Sequence, residues 1–231
     1  MPVMSTFRLA LPITCLDMLH LGAECAALEK DAAVELLFPI GDGTSAPFMS
    51  GLDPGRSICA HTTLRCHALL FASRPERHID AVAEAGYAAM TISLEAATHH
   101  HRTLTRIRQA GMRAGVAINP ATSLTALDYL LDKADHVCLL GTEFDGGDTT
   151  VMLSAVPERT AMLRENITYR KLQTEIMLYG GLNMTVAQQA VASGASCIAV
   201  DKQMLTDTGE TELCNAVRRC AESMQPAHDT N

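Results

Sequence analysis

The feature that most constrains this chain is a repeated junction between a helical pattern and a short apolar run. Ala85-Gly86 closes one helical pattern before Ala89-Met90-Thr91-Ile92, and Ala110-Gly111 closes the next before Gly115-Val116-Ala117-Ile118. Lys133-Ala134-Asp135 precedes Val137-Cys138-Leu139-Leu140, and Ser193-Gly194 precedes Cys197-Ile198-Ala199-Val200. The first three junctions recur at a spacing of roughly 25 residues, room for one strand, one loop and one amphipathic helix. Glycine suits a helix end because it enters the left-handed C′ conformation without a Cβ clash.

Between the junctions the apolar residues recur at i, i+3, i+4. Ile79, Val82 and Ala83 share a face, Leu104 and Ile107 another, and Leu124, Leu127, Leu130 and Leu131 form a stripe after the N-cap candidate Ser123. Strands are expected near 11–16, 34–40, 65–71, 90–94, 115–119, 137–141, 175–181 and 197–202. They are continuous rather than alternating, the mark of strands buried on both faces in a parallel sheet. Eight of them alternating with helices predict a closed (β/α)8 TIM barrel, a single α/β domain over 1–231 with its core at 8–205 and a C-terminal helix and tail at 206–231. A doubly wound open sheet is the alternative, weakened because no GxGxxG follows the first strand.

Composition bounds the function. Hydrophobic residues are 48% and charged residues 19%, enough to bury a core. The net charge of −8 repels polyanions and argues against nucleic acid and anionic membrane, though a small phosphate needs only local donors. No run of about 18 apolar residues suggests a membrane span, and no basic-then-apolar leader is visible. The eight cysteines, at 15, 25, 59, 66, 138, 197, 214 and 220, form no CxxC and read as reduced core thiols of a cytoplasmic protein.

In such a barrel the chemistry lies at the C-terminal strand ends. These carry Thr14-Cys15-Leu16-Asp17, Pro39-Ile40-Gly41-Asp42, the run from Gly141 through Gly146-Gly147-Asp148, Tyr179-Gly180-Gly181, and Asp201-Lys202. Gly146, Gly147, Gly180 and Gly181 would let backbone N–H groups approach an anion, with Lys202 as a point charge.

Further residues carry a resemblance. Glu95-Ala96, His101-Arg102-Thr103-Leu104, Gly111, Ala114-Gly115 and Asn119-Pro120-Ala121-Thr122 resemble the ribulose-phosphate 3-epimerase family, as does Arg74-Pro75-Glu76-Arg77 through Ala85-Gly86. Cys15-Leu16-Asp17-Met18-Leu19 looks like the opening of the allulose-6-phosphate epimerase branch. The likeness runs from about Leu11 to Leu205. It implies a (β/α)8 barrel that inverts the carbon beside the ketone of a phosphorylated sugar, usually as a homo-oligomer. Two Asp would serve as acid and base, and two His with those Asp would hold one divalent metal at the developing oxyanion.

Aligned on that pattern, the expected ligand positions are Leu37, Pro39, Leu69 and Tyr179. The expectation is therefore a family member with no metal or other cofactor, and with its acid/base pair replaced. The alternatives are a divergent metal-free epimerase and an inactive member that keeps sugar-phosphate binding or a regulatory role. His67 and Cys15 are the catalytic candidates: His67 as a base two residues deeper than Leu69, Cys15 as a thiol at the mouth. Each has a plainer reading, a bonded core histidine and an inert thiol. Tyr179 is a proton donor or a plug, Glu35 an inward-facing ion-pair residue, Asp42 a turn residue, and His99-His100-His101 a helix start rather than a metal cluster. Asp145, Asp148 and Asp201 are acids unhelpful to a phosphate.

Overall fold

The computed structural model describes residues 7–30, 33–43, 52–142, 154–210 and 212–224. Eight parallel strands close on themselves in sequence order: β1 Arg8–Pro12, β2 Val34–Gly41, β3 Arg65–Phe71, β4 Ala89–Ser93, β5 Arg113–Ile118, β6 His136–Leu140, β7 Glu175–Tyr179 and β8 Cys197–Ala199. β1 pairs with β8 through Arg8↔Cys197 and Ala10↔Ala199, which closes the barrel. Helices α1 Leu21–Leu28, α2 Leu52–Cys59, α3 Ile79–Glu84, α4 His100–Gln109, α5 Val156–Tyr169, α6 Met184–Ala192, α7 Lys202–Asp207 and α8 Leu213–Met224 surround it. Among the described residues no helix is long and apolar enough to cross a membrane.

Strand alternation sorts side chains into two cores. Outward positions such as Leu9, Leu11, Leu36, Phe38, Leu70, Ile92, Val116 and Ile198 pack under the helices with Leu104, Ile107 and Leu163. Inward positions Ala10, Leu37, Leu69, Phe71, Ala117, Cys138, Leu140, Met177, Cys197 and Ala199 form a second, interior cluster. Both faces of every strand are buried, so the strands read as continuous apolar runs.

Three expectations are corrected. β1 lies at Arg8–Pro12 rather than 11–16, because the chain leaves the sheet at Pro12 and tightens into a 3-10 turn at Ile13–Cys15. β8 stops at Ala199, although the Val200 N–H still reaches the Ala10 carbonyl at 2.9 Å. The stripe after Ser123 makes only a 3-10 turn, Leu124–Leu127, with Ser123 capping it through the Thr125 N–H. Its leucines are nevertheless buried at Leu127, Leu130 and Leu131, so the period is a true record of burial without a full α-helix. The helix-end glycines behave as the sequence predicts: Gly86, Gly111 and Gly194 have φ of 89°, 86° and 103°.

Candidate functional site

Because every strand runs the same way, the barrel has two chemically distinct ends. At the N-terminal end, the first inward residues are polar: Arg8, Glu35, Arg113, His136 and Glu175, with His67 and Thr91 one pleat further in. Arg8 donates to Glu175 at 3.2 and 2.6 Å, and Arg113 to the same carboxylate at 2.7 Å. Arg8 Nε lies 3.4 Å from Glu35, and Glu35 Oε1 lies 3.5 Å from His67 Nδ1. His67 Nε2 and His136 Nε2 each stand 2.6 Å from Thr91 Oγ1. A hydroxyl has one proton, so Thr91 donates to one imidazole and accepts from the other, and one of the two Nε2 atoms carries hydrogen.

The field of this network shifts the proton affinity of its members. Burial pushes His136 well below the ordinary imidazole value, with His67 and Arg113 adding to the shift. Burial alone would raise Glu35, but the bond to His67 and the charge of Arg8 outweigh it and hold the carboxyl at about 2. Bonds to Arg8 and Arg113 likewise hold Glu175 below its ordinary value against burial. Gly115, facing this network, has a reason to lack a side chain: a Cβ there would collide with the His136 ring.

Above the network the interior is apolar. Leu37 and Leu69 are fully buried in the interior cluster, and Tyr179 packs against its upper edge. His67 therefore belongs to the N-terminal network and is separated from the C-terminal mouth by this layer. Glu35 occupies the ion-pair position its strand parity implies.

At the mouth a cavity of about 240 Å³ opens between β1, β7 and β8, lined among others by Thr14, Cys15, Tyr179, Gly180, Asp201 and Lys202. The structure thus brings together Cys15, Gly180 and Lys202 from three separate stretches of sequence, with Gly181 the next residue along. Gly180 and Gly181 hold φ of 100° and 63°, backbone that favours glycine, and a Cβ on Gly180 would press on Thr142 Oγ1 at 3.0 Å. Gly146, Gly147, Asp145 and Asp148 lie outside the described residues. The Cys15 thiol points to the Val200 carbonyl at 3.7 Å, and burial together with Asp201 pushes it up to about 11, so it is a protonated donor rather than a thiolate. Burial pushes the Tyr179 phenol up as well.

Described carboxylates at the strand ends are tied to backbone. Asp42 accepts from Ser73 N–H at 2.9 Å, linking the ends of β2 and β3 in the turn role its sequence suggests. Asp17 accepts from Leu19 N–H at 2.9 Å and meets His20 at 2.7 Å. Glu95, quoted from sequence only for its resemblance, clamps the β4 and β5 loops through Ser93, Asn119 N–H and Thr122 at 2.7, 3.0 and 2.6 Å. These donors outweigh burial and hold the Glu95 carboxyl below its usual range. The triple histidine splits: His99 precedes α4, and His100 is anchored to the Leu94 carbonyl at 2.6 Å. Among the described residues no three His, Cys, Asp or Glu side chains are placed to hold a metal ion.

The closed barrel, with a cavity at the β1, β7 and β8 ends, defines a protein of the (β/α)8 class. A variant of the tryptophan synthase alpha-subunit from Pyrococcus furiosus superimposes with a TM-score of 0.60 at 14% identity, covering 95% of this chain and 97% of that one, a likeness of fold alone. Sequence goes further. The Ribulose-phosphate 3 epimerase family pattern matches residues 8–205, so the chain belongs to that family. Ribulose-phosphate 3-epimerase of Rhodobacter capsulatus is 33% identical over 192 residues, 82% of each chain. The protein of the same name from Bacillus subtilis is 26% identical over 212 residues, 91% of this chain and 98% of that one.

Proposed function

We propose that the mouth cavity binds a phosphorylated ketose and that this chain lacks the metal-assisted epimerisation step, serving as a binding or regulatory member of its family. One observation carries the reading. The four positions that the family resemblance marks for metal are two leucines, a proline and a tyrosine, and Leu37 and Leu69 are packed into apolar surroundings. Alkyl side chains offer no lone pair, and a zinc site takes at least three protein donors, so these residues do not fit the ion. Inversion beside a ketone also needs a proton removed on one face and returned on the other. The described carboxylates nearest the strand ends instead fix loops. Thr14, Tyr179, Gly180, Gly181 and Lys202 supply the ligand contacts, with Cys15 as a neutral donor, and the family's sugar-phosphate chemistry supports the ligand class. Cysteines without CxxC spacing favour a reducing, cytoplasmic setting, and the family resemblance favours a homo-oligomer.

The test is deuterium exchange beside a binding measurement. Ketopentose and ketohexose phosphates incubated with the protein in D2O are expected to keep the proton beside the ketone, while saturation-transfer NMR reports the bound ester. Deuterium entering that carbon, lost with a chelator and regained with a divalent ion, overturns the reading. So does a stoichiometric, tightly held metal in the purified protein.

A further inference from the structure

One pair of thiols lies outside everything the reading above uses. Cys59 is the last residue of α2, and Cys66 is the second residue of β3. The connection 60–65 folds back so that the two side chains meet, and the Cys66 thiol donates a hydrogen bond to Cys59. Glu29, just past α1, fixes that connection: its Oε1 accepts the Thr62 hydroxyl at 2.8 Å and the Thr63 N–H at 2.7 Å. Cys66 is held in turn by the sheet, where its carbonyl accepts the Ala88 N–H at 2.8 Å. Cys59 is packed against the turn before β4, so closely that a Cβ on Gly86 would stand 3.3 Å from its own.

The two thiols differ in access. Cys59 is partly exposed, while Cys66 is buried behind it. They also differ from the other described cysteines. Burial pushes up the thiols of Cys15, Cys25, Cys138, Cys197 and Cys220. At Cys59 the bond from Cys66 outweighs burial and holds the thiol below its ordinary value. Solvent therefore meets the sulfur that ionises more readily, with a second sulfur in contact with it. A thiolate is the attacking species in disulfide exchange, and a neighbouring thiol aimed at it completes the exchange. A disulfide needs its two sulfurs already directed at one another, and here the fold directs them.

We infer that Cys59 and Cys66 form a redox-modification site, a dithiol that a small disulfide of the glutathione class converts into a bond tying the end of α2 to the start of β3. Cys59 gives its proton to solvent, and its thiolate attacks one sulfur of the small disulfide. That S–S bond breaks, a mixed disulfide forms on Cys59, and the first small thiolate leaves and takes up a proton. Cys66 then loses its proton and attacks the Cys59 sulfur, which expels the second small thiol. In sum the protein is oxidised by two electrons, and one small disulfide is reduced to two thiols. In a reducing compartment the pair rests as the dithiol. The site lies where β3 begins, at the opposite end of the barrel from the mouth cavity, so it does not rest on the proposed sugar binding.

The test equilibrates the full chain in glutathione buffers of rising disulfide fraction, quenches in acid, alkylates the free thiols and digests with trypsin. Cleavage after Arg56, Arg65 and Arg77 puts Cys59 on peptide 57–65 and Cys66 on peptide 66–77, since the Arg74–Pro75 bond resists the protease. The two peptides stay joined only through a disulfide. The joined pair is expected to appear as the buffer becomes more oxidising and to vanish with dithiothreitol. Cys66→Ser removes the second thiol and is expected to trap one glutathione on Cys59, whereas Cys59→Ser leaves Cys66 unmodified. The wild-type digest decides alone if a variant fails to fold. Oxidised protein is expected to melt no lower than reduced protein, because the bond joins sulfurs that the native state already brings together. Glutathione resting on Cys59 of wild type, a bridge to Cys25 instead, or no oxidation at either position overturns the inference. So does a lower melting temperature for the oxidised form, which would show that the bond forms between sulfurs of the unfolded chain.

Discussion

His136 shows how a single side chain in the barrel sets the response of the whole fold to acid. The ring is buried, bonded to Thr91, and held well below the 6.5 of a free imidazole. A depressed histidine means that the unfolded chain binds a proton the native state refuses, so stability falls as pH drops below about 6.5. The limiting slope for one such group is about 1.4 kcal/mol per pH unit. Glu35 acts lower: its carboxyl is held at about 2 against an ordinary 4.5, and its contribution is complete above 4.5 and lost on the way down to 2. Between those windows the imidazole is the group to watch. His20 runs the other way, raised by Asp17 but fully exposed, so a variant is needed as reference. Urea midpoints measured from pH 7.5 to 5 should fall for wild type and fall distinctly less for His136→Gln. Equal slopes would show that His136 takes up its proton in the native state. From sequence, His67 draws notice because it stands two residues from an expected ligand position. His136 and Thr91 draw none, since nothing along the chain reports that three strands aim them at one another.

The elements repeat that contrast between what a local pattern reports and what only packing reveals. The strands and most helices are legible because their apolar periods and terminal glycines are local; Gly86, Gly111 and Gly194 end their helices as read. The contact between α2 and the β3–β4 connection is not legible. Gly55 sits inside α2, where glycine costs helix stability. Its reason is Tyr87, whose hydroxyl fills the space a Cβ would need. That hydroxyl is buried and, among the described residues, has no hydrogen-bond partner, while its ring meets Phe38 edge-on at 5.1 Å. A buried hydroxyl without a partner carries its desolvation cost uncompensated. Tyr87→Phe keeps the ring and removes the cost, so it should stabilise the protein by about 1 kcal/mol. At this chain length that is a rise in Tm of roughly 2–4 °C. A fall in Tm would mean that the hydroxyl has found an acceptor.

At the scale of the molecule, the two ends of the barrel differ in chemistry, and β7 touches both. Glu175, its first residue, ties β7 to β1 and β5 through Arg8 and Arg113; Tyr179, its last, lines the mouth cavity. Four residues of strand put them about 13 Å apart, with Leu37, Leu69 and Met177 in the apolar layer of the barrel interior. The mouth was partly legible in sequence, because barrel topology assigns strand ends to it before any side chain is placed. The N-terminal network was not, because it is assembled from seven strands and no motif records it. The division predicts that the ends respond separately. Glu175→Gln leaves two arginines facing a neutral amide in a mostly buried site and should cost about 3 kcal/mol. The melting temperature would then fall by roughly 6–12 °C. Sugar affinity at the mouth should stay as it was. Lys202→Ala, on an exposed side chain, should do the reverse, weakening the sugar ester without moving the melt. In the double variant each effect should keep its own size to within about 0.5 kcal/mol, as for distant sites without shared partners. Calorimetric titration and thermal melts of the three variants give both quantities. A loss of sugar affinity in Glu175→Gln would show that the apolar layer transmits strain from one end of the barrel to the other.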